Sequence, residues 1–146
     1  MVSWADHGSI LAVVSDLAFS RLVFERFLTR VVIDGSRYDN NGTFTFTRTC
    51  GASATFTFNG TALWIFGAKR KSHGLYNITL DGSVYTDDGF YDGDLFQQVL
   101  FSAGDLDGTI PHTVSITNWL TDRTKPYLNV DSVSASMVRS KRSVER

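Results

Sequence analysis

Four aspartates stand within eight residues, Asp87-Asp88-Gly89-Phe90-Tyr91-Asp92-Gly93-Asp94. Hard carboxylate oxygens gathered on one flexible loop are the donors that Ca²⁺ takes, so a structural calcium held by Asp87, Asp88, Asp92 and Asp94 is a candidate cofactor. The spacing lacks the fixed Gly and distal Glu of an EF-hand loop, and a solvated acidic turn is the preferred reading. Asp105 and Asp107, in a second Gly-rich turn, read the same way. Sugar recognition combines an aromatic platform, on which the apolar face of a pyranose packs, with planar polar groups for its hydroxyls. Trp119, Tyr127, Phe90 and Tyr91 fall in or beside expected loops and suit the platform, while Asp88, Asp92, Asn118, Asp122 and Arg123 suit the hydrogen bonds. Packing over the end of the domain is the competing role for the aromatics. Lys69, Arg70, Lys71 and His73 form a basic turn that could meet an acidic glycan or partner, with a solvated turn preferred.

Catalytic patterns are scarce. His7, His73 and His112 lie far apart and show no metal-ligand spacing. No Gly-x-Ser-x-Gly elbow and no phosphate-cradling glycine loop is present. Glycoside hydrolysis needs two carboxylates at a defined separation, and the only glutamates, Glu25 and Glu145, fall outside the expected sheet region. The chain is therefore expected not to be an enzyme. Three sequons, at Asn41, Asn59 and Asn77, would accept N-linked glycans if the chain enters a secretory pathway. Asn41-Gly42 and Asn59-Gly60 also suit tight hairpin turns, because both residue types tolerate left-handed backbone angles.

These residues need elements to hold them. From Ile10 to Ile33 the apolar residues Ile10, Val13, Val14, Leu17, Phe24 and Leu28 recur as on one face of an amphipathic helix, so residues 1–30 are expected to form a helical extension. Asp16, Arg21, Glu25, Arg26 and Arg30 interrupt it, which excludes a transmembrane helix. No basic residue precedes the short run Ile10–Val14, so it does not read as a secretory signal. After Val31 the period becomes twofold. Thr43-Phe-Thr-Phe-Thr47 and Ala54-Thr-Phe-Thr-Phe58 alternate hydroxyl with aromatic, as half-buried antiparallel strands do. Leu63–Ala68 is continuously apolar and is expected to be covered on both faces, with Trp64 and Phe66 in the core. Tyr76–Leu80, the Asp81-Gly82 pair and Ser83–Thr86 form a hairpin signal. Leu95–Ser102, His112–Asn118 and Tyr127–Met137 complete about eight strands, suggesting a sandwich or jelly roll. Cys50, the only cysteine, precludes an intrachain disulfide and is expected to be a small buried apolar residue.

The ordered series Gly51–Ala68, Tyr76–Gly82, Leu100-Phe-Ser102 with Leu106-Asp-Gly108, His112–Asn118 and Leu128–Val133 resembles the galactose-binding-like jelly-roll ectodomain of fungal, especially basidiomycete, cell-surface and secreted proteins. The resemblance covers residues 31 to about 137. It implies an all-β antiparallel sandwich at 31–138, followed here by a basic tail at 139–146. It further implies carbohydrate binding without catalysis, an extracellular or membrane-associated setting, and partners that are glycans or cell-surface proteins. A structural or protein-interaction ectodomain without a sugar site is the alternative.

Composition agrees with one such domain. At roughly 150 residues per domain, 146 residues make a single unit. With 42% hydrophobic and 20% charged residues the chain is ordinary in globular terms. A formal charge of −1 excludes the electrostatic footprint of a nucleic-acid binder. Eleven Phe, twelve Gly and only two Pro point again to strands and turns.

Overall fold

The structure, a computed structural model, describes residues 13–15, 19–25, 28–31, 43–119 and 122–136. Among these residues there are twelve strands and no helix. In chain order they are β1 (Val13–Ser15), β2 (Phe19–Glu25), β3 (Leu28–Val31), β4 (Thr43–Thr47), β5 (Ser53–Asn59) and β6 (Ala62–Arg70). Then follow β7 (Leu75–Leu80), β8 (Ser83–Asp88), β9 (Asp94–Ala103), β10 (Pro111–Asn118), β11 (Leu128–Val130) and β12 (Ser132–Ser136). They build sheets in the orders β1-β12-β6-β9, β2-β5-β10-β7-β8 and β11-β4-β3. Every pairing is antiparallel except β1 with β12. The fold is an all-β sandwich.

Side-chain alternation decides which faces meet. In β5, Ala54, Phe56 and Phe58 are fully buried while Ser53, Thr55 and Thr57 point outward. Val114 of β10 sits opposite Phe56 and Leu80 of β7, and Ile116 opposite Ala54 and Ile78, so one face of this sheet is continuously apolar. It packs on Leu63 and Ile65 of β6, Leu100 of β9 and Val133 and Ala135 of β12, with Leu128 and Val130 of β11 closing the cluster. Each large side chain buried this way contributes roughly 1.5–3 kcal/mol. On the outer face Thr55 and Ser115 bond through their hydroxyls at 2.7 Å. Between β7 and β8, Asp81 and Gly82 take positive φ values of 48° and 89°, the tight turn that Asp-Gly favours.

Several expectations need correction. The helix expected over residues 1–30 is replaced, wherever that stretch is described, by β1, β2 and β3. β2 pairs with β5 from Phe19 opposite Phe58 to Glu25 opposite Ser53. Periodicity along one segment cannot register that another strand offers an open edge, and tertiary pairing overrides a local helical pattern. Residues 1–12, 16–18 and 26–27 lie outside the described residues. β6 is not covered on both faces: Leu63 and Ile65 are buried, but Trp64 and Phe66 lie half-buried on the outer face opposite Ser134 and Ser132. The stretch after Tyr127 is not one strand. It breaks at buried Asp131, whose N–H donates to Phe66 O at 2.8 Å, and the chain passes there from the β11 sheet to the β12 sheet. Asn59-Gly60 turns the chain between two sheets and makes no hairpin. Cys50 is exposed, because it sits in the turn after β4 and not in a strand. No helix among the described residues is long and apolar enough to cross a membrane.

Candidate functional site

Four connections gather at one end of the sandwich: residues 48–52 after β4, 71–74 after β6, 89–93 after β8 and 119–127 after β10. All four carry the chain from one sheet to another. The segment 70–74 is the centre of this rim. Arg70 N–H donates to Gly89 O at 3.1 Å, Tyr91 N–H to Arg70 O at 3.2 Å and Gly89 N–H to Gly74 O at 2.9 Å, tying the 89–93 connection to it. Tyr127 N–H donates to Ser72 O at 3.1 Å and ties on the 119–127 connection. Gly51 N–H donates to Asn118 O at 2.8 Å and brings in the first turn. Gly74 is required by this closeness, since a Cβ there would stand 2.7 Å from Lys125 O, a backbone atom.

Most residues expected to bind a ligand do converge on this rim, in different roles. Trp119, Tyr91 and Phe90 are exposed at 45%, 44% and 40%, a large apolar display for one loop cluster. Phe90 is partly claimed, because the Lys125 ammonium lies 4.1 Å from its ring centroid. Tyr127 is half-buried and serves packing: the His73 ring stacks on it at 6.1 Å, Phe46 approaches at 6.1 Å and Arg48 lies 5.8 Å from its centroid. These contacts hold its ring in place at the rim. Asn118 lies deeper. It is 1% exposed and its Nδ2 donates to Thr49 O at 3.2 Å and Pro126 O at 2.8 Å, so it fastens two connections together beneath the surface. Asp122 and Arg123 are exposed in the 119–127 connection. Asp122 accepts from Thr124 N–H and Oγ1 at 2.8 and 2.7 Å, bonds that hold its carboxyl below the usual carboxylate range. Arg48 and Lys125 are rim residues that sequence reading passed over. Lys125 stands between two residues it singled out, whereas nothing in the sequence brings Arg48 to Tyr127.

The acidic cluster is dispersed over separate partners. Asp87 faces Lys69 at 3.9 Å, Asp92 faces Lys71 at 2.8 Å and Asp94 faces Arg70 at 3.6 Å. Asp88 accepts from Phe90 N–H at 2.8 Å. Among the described residues no group of three or more His, Cys, Asp or Glu is placed to hold a metal ion. Beneath the rim, burial and the Arg70 charge press His73 down to about 4, leaving a neutral imidazole at pH 7. Three buried polar atoms, His73 Nε2, Arg70 Nε and Asn118 Oδ1, have no hydrogen-bond partner among the described residues. All three belong to this end.

The opposite end holds a different histidine. His112 bonds through Nδ1 to Asp81 Oδ2 at 2.5 Å and through Nε2 to Asp107 O at 2.7 Å. With both ring nitrogens committed to oxygen acceptors, the ring fixes two turns and has no nitrogen left for proton transfer. Of the sequons, Asn59 is exposed at a turn, Asn77 accepts from Thr86 Oγ1 at 2.7 Å on an outer strand face, and Asn41 lies outside the described residues.

No protein-family model matches the chain. No curated protein matches it either. Solved structures do. A two-domain esterase (CEX) active on acetylated mannans, crystallised with mannopentaose, superposes with a TM-score of 0.56 at 19% identity, over 87% of this chain and 36% of that one. A Paenibacillus xanthan lyase follows at 0.55 and 10%, over 82% of this chain and 12% of its own. The Agl-KA catalytic domain gives 0.51 and 10%, over 90% of this chain and 30% of its own. These likenesses show the fold. The chain spans little more than a third of the first of these proteins and less of the other two. They also overturn the expectation that the chain is not an enzyme: this sandwich is a recurrent part of enzyme chains, so its presence gives no ground for excluding catalysis.

Proposed function

We propose that the loop rim binds a glycan, and that the domain serves a polypeptide or assembly acting on polysaccharide. The observation that carries this reading is the rim itself. Four sheet-to-sheet connections are bonded into one unit that holds Trp119 and Tyr91 exposed at the same rim as Arg48, Arg123 and Lys125. A platform positioned by backbone bonds loses little freedom when a sugar packs on it. His73 Nε2 and Asn118 Oδ1 beneath it, which have no hydrogen-bond partner among the described residues, support the same assignment, since local polar rules are broken where a site is built. The structural neighbours named for acetylated mannan and xanthan fit a polysaccharide ligand. Binding of a single sugar site is expected in the millimolar to micromolar range, about −4 to −8 kcal/mol, and gains from repetition or tethering.

The test is a glycan array, with and without Ca²⁺, read alongside release of sugar or acetate from the same ligands. Binding that Trp119→Ala abolishes while the melting temperature stays within a degree or two supports the site. Turnover would add catalysis to it. Silence across the array from folded protein overturns the glycan reading in favour of a structural or protein-interaction domain.

A further inference from the structure

We propose that the glycan received at this rim is anionic, its charge carried by carboxylates of uronate residues; this deepens the glycan reading and rests on it. Every lysine and arginine between Phe46 and Ser136 stands at the rim end: Arg48, Lys69, Arg70, Lys71, Arg123 and Lys125. The opposite end presents Asp81, Asp105 and Asp107 with no lysine or arginine from that stretch. Within that stretch the cations are thus gathered at the rim, the side on which a negative ligand would meet them.

Local pairing sharpens this. Lys69, Arg70 and Lys71 each face one carboxylate of the Asp87–Asp94 loop. Among the described residues Arg48, Arg123 and Lys125 have no carboxylate within ion-pair distance. Arg48 and Lys125 instead lie over the rings of Tyr127 and Phe90, contacts that orient a cation without neutralising it. The two rim carboxylates outside ion pairs, Asp88 and Asp122, are turned onto backbone N–H groups of their own connections. Two of the three unpaired cations are guanidinium groups, whose planar fork matches a planar carboxylate. Trp119 and Tyr91 supply the stacking surface that a sugar ring needs and a simple anion does not.

The experiment titrates the full chain with polygalacturonate, its fully methyl-esterified form, neutral galactan, a sulfated galactan and poly-glutamate, in about 20 and 200 mM salt. Polygalacturonate is expected to bind at low salt and to weaken about tenfold or more at high salt, with the methyl ester, which keeps the backbone and removes the charge, weaker by at least as much. The combined Arg48→Gln, Arg123→Gln, Lys125→Gln chain is expected to lose that binding with an unchanged melting temperature, Lys125→Arg to retain it, and Asp105→Asn at the far end to leave it untouched. Equal binding of the methyl ester or of neutral galactan overturns the charge assignment and leaves the glycan reading standing. A preference for the sulfated galactan overturns the carboxylate assignment, and equal binding of poly-glutamate overturns recognition of a sugar acid. Silence toward every glycan from folded protein removes both readings together.

Discussion

His112 shows how a residue type that suggests chemistry can be committed to structure. Burial alone would lower its pKa, but the Asp81 carboxylate and the Asp107 carbonyl outweigh that and raise it. Desolvation likewise works against the Asp81 anion, yet bonds from Thr113 N–H and His112 leave its carboxyl below the usual range. The two shifts bracket a pH window. A histidine raised in the folded state stabilises fully below its ordinary value and loses that contribution as pH climbs through the folded one. An aspartate lowered in the folded state stabilises above its ordinary value and loses this as pH falls through the folded one. The pair is therefore expected to contribute most between about pH 4 and 6.5. Denaturant midpoints should decline on the alkaline side in the native chain and flatten there in His112→Gln, which also leaves buried groups unbonded at a cost of about 1–3 kcal/mol. His73 behaves oppositely: burial and the Arg70 charge press it down to about 4, so at neutral pH it is uncharged and can stack on Tyr127 without repelling Arg70. The sequence names both histidines and gives no sign of their contrast, because the partners that set it come from distant turns.

At the scale of elements, what is periodic was legible and what is paired was not. The alternation of β5, the Asp81-Gly82 turn and the span of β10 follow from side-chain size and backbone freedom within a few residues, and the structure matches them closely. The outward placement of Trp64 and Phe66 did not follow, because a six-residue apolar run is compatible with one covered face or two. The rim lay between these cases: composition marked Phe90, Tyr91 and Trp119 as loop aromatics, but only the cross-loop bonds reveal that Tyr127 and Asn118 support the surface from below. One inter-sheet tie invites a direct test. Tyr76, fully buried in β7, donates its hydroxyl to Leu100 O of β9 at 2.7 Å and approaches Asp87 Oδ2 at 3.3 Å. Burial first, and the Asp87 charge second, push that hydroxyl well above the usual phenol range, so it remains a donor at any working pH. Tyr76→Phe keeps the ring and strands the carbonyl, and equilibrium unfolding should show a loss of about 1–2 kcal/mol.

For the molecule as a whole, the first thirty residues change the expected outcome of truncation. A separate helix would leave stability untouched on removal, but β2 covers the edge of β5, β3 that of β4, and β1 that of β12. Deleting residues 1–30 should strip all three edges and lower the melting temperature by about 4–8 °C, what a loss of about 2 kcal/mol produces in a domain this size. Retention of the native transition would show that these pairings are dispensable. The turn that carries Cys50 adds a practical consequence. The chain's single thiol is exposed one residue from Gly51, whose N–H is bonded to the carbonyl of Asn118, the neighbour of Trp119. A thiol-reactive dye would therefore attach at one place on the native chain, on a turn bonded to the residue before Trp119, and a change in its emission would turn the unaltered protein into an optical sensor of whatever settles on the rim.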